Sequence, residues 1–79
     1  MTNAYEFYIN QLTMFKVNHI LNDKPPKYEL AFSLGILSGY NSCWVWDDRL
    51  TADELKKLWA YEDRLTKDLV KKHHNYDII

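Results

Sequence analysis

The chain predicts an all-α fold, a compact three-helix bundle with helices near 4–21, 26–38 and 51–73. Three observations carry that expectation. Thr51 is followed three residues later by Glu54 and then by a leucine arc, which is the signature of a capped amphipathic helix. Asn22, Asp23, Pro25 and Pro26 stand together between two apolar stretches, and proline interrupts a helix on its N-terminal side. No segment combines β-branched residues with strand-like alternation over a useful length, so a second strand is missing for any sheet.

The first helix is expected to start on Asn3, with Glu6 three residues on as its reciprocal partner. At about 100° per residue it carries two apolar stripes. Tyr5, Tyr8, Ile9, Leu12, Phe15 and His19 make one, and Phe7, Met14, Val17 and Leu21 the other. Two stripes imply a helix buried between two layers or one that keeps a stripe for a partner. A strand over 12–21 competes, and its low β-branched content argues against it.

The second helix is expected to open on Pro26, a residue suited to a first turn, and to close on a left-handed Gly39. Leu30, Ala31, Phe32, Leu34, Ile36 and Leu37 leave little polar surface, the composition of a central helix covered on most sides. Gly35 inside it costs about 1 kcal/mol relative to Ala. With Ser33 and Ser38 nearby, a close approach by another backbone is the expected reason. The connection at 41–49 holds Trp44, Val45 and Trp46, whose alternation places both tryptophans on one side of a short extended segment. The first expectation is that they tuck under the helices as a lid on the core, and an exposed aromatic patch for a partner is the competing one.

The third helix is the clearest. Thr51 and Glu54 form a capping box, Leu50 and Leu55 have staple spacing, and Asp53 and Lys71 suit the two ends of the dipole. Leu55, Leu58, Trp59, Leu65 and Leu69 define its inner arc. Asp53–Lys57, Asp63–Lys67 and Asp68–Lys72 pair across its outer face. Glu62 falls among the leucines, so it must find a donor or protonate. The expectation is a buried polar group. Residues 74–79 are expected to fray.

Seventy-nine residues make a single helical domain over 1–79. Its formal charge of −1 lacks the basic patch of a general nucleic-acid binder. Cys43 is the only cysteine, which excludes an internal disulfide and a thiolate zinc site. His19, His73 and His74 lack metal-ligand spacing, and no nucleotide loop or nucleophile motif occurs. No catalytic residue, metal site or cofactor is expected. The absence of a charged-then-apolar leader and of a long apolar run suggests a cytoplasmic chain with no membrane role.

The functional expectation is therefore a non-enzymatic protein-binding module, contacting its partner through Phe7, Met14, Val17, Leu21, Trp44 and Trp46. A homodimer is one form of that reading. Size and lack of motifs suit a phage or mobile-element accessory protein that inhibits or modulates a host protein. The alternative is a small nucleic-acid-binding transcriptional regulator using Lys24, Lys27 and Arg49.

Overall fold

The computed structural model describes residues 3–21, 26 and 28–77. Three helices, α1 (Ala4–His19), α2 (Leu30–Trp44) and α3 (Ala52–Asp77), contact one another in all three pairs. No strand occurs among the described residues. The all-α three-helix bundle anticipated from the sequence is therefore observed.

α1 begins as expected. The Asn3 carboxamide oxygen accepts from the Glu6 N–H at 2.8 Å, satisfying one of the orphan donors of the first turn. It ends two residues early, where Ile20 leaves helical geometry at φ −121°. The freed Ile20 carbonyl accepts from the Lys72 ammonium at 3.3 Å, a cation placed where the helix dipole favours one.

α2 departs most from expectation. It starts at Leu30, four residues beyond Pro26, because Glu29 is extended (φ −61°, ψ 149°) and caps the helix through its backbone alone. Tyr28 stands against His19 and Phe32, with ring centroids 5.4 and 5.0 Å away. Aromatic contact therefore holds this approach to the helix. Pro25 and Lys27 lie outside the described residues. At its other end α2 runs straight through Gly39, which has no positive φ, and stops after Trp44. A glycine permits a left-handed stop without compelling one, and Tyr40, Trp44 and Val45 still had apolar surface to pack.

Nor is α2 a central helix. Only Ser33, Leu37 and Trp44 are buried along it, while Ala31, Phe32, Gly35, Ser38, Gly39, Ser42 and Cys43 are exposed. A Cβ built on Gly35 or Gly39 meets nothing within 4 Å. Among the described residues no neighbouring backbone explains either glycine.

α3 supplies the spine. The capping box closes in both directions, Glu54 N–H to Thr51 Oγ1 at 3.1 Å and Thr51 N–H to Glu54 Oε1 at 2.9 Å. Leu58, Leu65 and Leu69 are fully buried against Leu12, Phe15, Leu37 and Trp44. Trp59 stays 47 % exposed and meets Trp44 edge-on at 5.5 Å. The expected fraying at 74 does not occur up to Asp77: His73 lies four residues beyond Leu69 on the same arc and is buried. Residues 78 and 79 lie outside the described residues. Outside, Lys67 pairs with Asp63 at 3.0 Å, which contributes a few tenths of a kcal/mol at most.

If this spine carries the fold, Leu58→Ala should lower unfolding free energy by roughly 2–5 kcal/mol, the range for truncating a fully buried leucine. Urea denaturation followed by circular dichroism measures it; a loss below about 0.5 kcal/mol would mean Leu58 is not core.

Candidate functional site

One face of α1 is core and another is bare. Tyr8, Leu12 and Phe15 are at most 7 % exposed, whereas Phe7, Met14, Val17 and Leu21 range from 49 to 64 %. Phe7, Met14 and Val17 fall within about 80° of arc on a helical projection, and Leu21 lies just beyond the end of α1. Since α2 and α3 both pack on the inner stripe, no other element among the described residues covers the outer one. A shallow depression of about 170 Å³, lined by Thr13, Met14, Val17 and Asn18, indents it.

The two tryptophans expected to act together are separated. Trp44 closes α2 and is fully buried, so it is a core residue and cannot serve as an anchor for a partner. Its indole Nε1 has no hydrogen-bond partner among the described residues. Trp46 lies in the following turn and is 85 % exposed. The alternation rule fails here because residue 44 is still helical, and only an extended backbone puts alternate residues on one side.

A polar latch ties the Trp46 turn to α1. Asp47 accepts from the Tyr8 hydroxyl at 2.7 Å and from Arg49 through Nε (2.9 Å), the guanidinium Nη2 (2.6 Å) and the backbone N–H (3.0 Å). The Arg49 guanidinium, then the Tyr8 hydroxyl, hold the Asp47 carboxyl well below the usual carboxylate range. Arg49 is pushed above its ordinary value by the same carboxylate, and Tyr8 is raised by burial and then by Asp47. A carboxylate held ionised by two donors has no proton to give near neutral pH, so the cluster works as a fastening. It also commits Nε and Nη2 of Arg49 to Asp47, while the side chain stays 70 % exposed. Lys24 and Lys27, the other basic residues of the nucleic-acid alternative, lie outside the described residues.

Glu62 is half-buried, where a buried group was expected, and it is satisfied. Its Oε2 accepts from the Asn41 carboxamide at 2.7 Å. The partner comes from the stretch of α2 beyond the glycine that was expected to end it. Next to this arc a larger cleft of about 410 Å³ lies between α1 and α3, lined by Lys16, Ala60, Tyr61, Arg64, Leu65 and Asp68. It mixes both signs of charge, and its tyrosine hydroxyl already shares a hydrogen bond with Thr13 at 3.0 Å. Among the described residues no group of three His, Cys, Asp or Glu side chains could hold a metal ion. None of the described helices is long and apolar enough to cross a membrane.

At the opposite end, His19 stacks on Phe15 (centroids 4.2 Å apart) and shares a hydrogen bond with Ser33 Oγ at 3.0 Å. Sequence spacing gave no sign of either this bond or the Asp47 latch, because each joins different helices or loops.

Comparison with family models, with curated proteins and with solved structures finds no match to this chain. The reading of function therefore rests on geometry.

Burial, followed by electrostatic interaction with His73 and then Lys72, lowers the His19 pKa from its ordinary 6.5. The unfolded chain then binds a proton more readily than the folded one, so this contribution is complete above the unfolded value and is lost as pH falls below it. The urea midpoint should drop between about pH 7.5 and pH 5.5, and the drop should shrink in His19→Gln. An equal drop in the variant would place the titration elsewhere.

Proposed function

We propose that this chain is a non-enzymatic protein–protein interaction module that docks through the outer face of α1, with Trp46 as a flanking anchor. One observation carries the reading: three large apolar side chains, Phe7, Met14 and Val17, share one helix face, Leu21 follows just past the helix end, and all four are 49–64 % exposed. Scattered apolar residues are ordinary on protein surfaces, but a contiguous helical stripe is the geometry of helix-in-groove recognition. Trp46 suits an anchor because a rigid, large ring contributes much buried area at little conformational cost. The Tyr8–Asp47 bond fixes its turn beside α1 before any partner arrives, which reduces the ordering cost of binding.

A module of this kind acts by occupying its partner's surface. Inhibition or modulation of a host protein by a phage or mobile-element accessory protein is the role proposed for it.

The double variant Phe7→Glu/Met14→Glu separates interface from core. It should unfold within about 0.5 kcal/mol of the parent, as changes at open surface do. It should also lose the protein that the parent chain retains in affinity purification from host lysate. Destabilisation by several kcal/mol would make the stripe part of the core, and unchanged retention would move the interface elsewhere.

A further inference from the structure

The sequence pairs Asp68 with Lys72 across the outer face of α3, but Lys72 donates to the Ile20 carbonyl at 3.3 Å. Asp68 lines the cleft of about 410 Å³ between α1 and α3, with Ala60, Tyr61, Arg64 and Leu65 of its own helix and Lys16 from the opposite wall. Tyr61, Arg64 and Asp68 stand on successive turns of one helix face. Among the described residues, no hydrogen bond or ion pair engages the head group of Lys16, Arg64 or Asp68. Arg64 and Asp68 are four residues apart, but with the cation on the N-terminal side, the weaker order. Asp63 and Lys67, in the favourable order, do pair at 3.0 Å. Below these charges Leu65 is 1 % exposed and forms an apolar floor. The Tyr61 hydroxyl is held by Thr13 at 3.0 Å, which fixes that wall.

We propose that this cleft binds a small zwitterion, an α-amino acid with an apolar side chain. Its carboxylate sits against Arg64 and Lys16, its ammonium against Asp68, and its side chain on Ala60 and Leu65. A guanidinium presents a planar fork of donors that matches a carboxylate. Two cations and one carboxylate leave an excess of one positive charge. That balance admits a singly charged acid, while Asp68 repels a doubly charged phosphate. The volume lies within the range of small-molecule sites, roughly 300–1,000 Å³. Arg64 is exposed and Lys16 and Asp68 are half-buried, so water screens these contacts and binding is weak, with a dissociation constant of about 0.1–10 mM.

Amide chemical shifts of the full chain, titrated with L-phenylalanine at low salt, read the site. Saturable shifts should appear at Lys16, Tyr61, Arg64 and Asp68. Arg64→Gln and Asp68→Asn should each weaken binding at least about fivefold with helicity unchanged. Phenylpropionate, which lacks the ammonium, and phenethylamine, which lacks the carboxylate, should each bind the parent at least about fivefold more weakly than phenylalanine. Asp68→Asn should not weaken phenylpropionate further, which a general disturbance of the cleft would do. No saturable shift up to about 50 mM, or saturation on another face, would overturn the proposal. So would an unchanged affinity in Arg64→Gln or Asp68→Asn, or either analogue binding as tightly as phenylalanine. Because Phe7→Glu/Met14→Glu leaves the cleft intact, it should bind phenylalanine as the parent does, so the α1 reading and this one can fail separately.

Discussion

Leu58, Leu65 and Leu69 of α3, closed over by Trp44, Leu12 and Leu37, form the dry layer on which the rest of the molecule depends. A chain of this length can remove only about 60–65 % of its unfolded surface from water. One such layer is what it can build. α3 is long enough to run the length of the bundle, at about 1.5 Å per residue, so α1 and α2 each contribute a single face to it. The second apolar stripe of α1 and the uncharged outer face of α2 are what remains. Both consequences follow from geometry: three helices around one layer leave the far side of each to solvent or to a partner.

Polar contacts then fix the ends of the layer. At one end Asp47 gathers Tyr8 and Arg49 and holds the α2–α3 turn against α1. At the other, His19 meets Ser33 while Lys72 donates to the carbonyl of Ile20, just past the end of α1. In between, Asn41 satisfies Glu62. Apart from the Asp47–Arg49 bonds inside the turn, each of these contacts joins different elements, so together they set how the helices are aligned along one another, which apolar packing alone leaves poorly specified. The latch has a second effect, since the turn it fixes is the one that displays Trp46.

Much of α3 and α1 was legible in the sequence because their signals are local. The Thr51–Glu54 box and the Asn3 cap act within one turn, and the leucine arc repeats often enough to outvote the misplaced Glu62. α2 was harder to read. Pro26 and Gly39 are permissive residues, and the ends of the helix were set by contacts their neighbours make: Tyr28 with His19 and Phe32, and Trp44 with the core. Misjudging that far end also misjudged Trp44 and hid Asn41 as the donor to Glu62. Of the candidate surface, the α1 stripe could be seen in projection, but which of its two stripes would be buried depended on tertiary packing.

Leu12 and Met14, two residues apart in sequence, lie on opposite sides of a helix with one dry face. Paramagnetic relaxation of side-chain methyl signals by a small soluble probe reads this directly, in the chain without its partner. The Met14 and Val17 methyls should broaden strongly, while those of Leu12, Leu58 and Leu69 stay sharp. Protection of Met14 to the same degree as Leu12, in a sample shown to be free of partner protein, would contradict it.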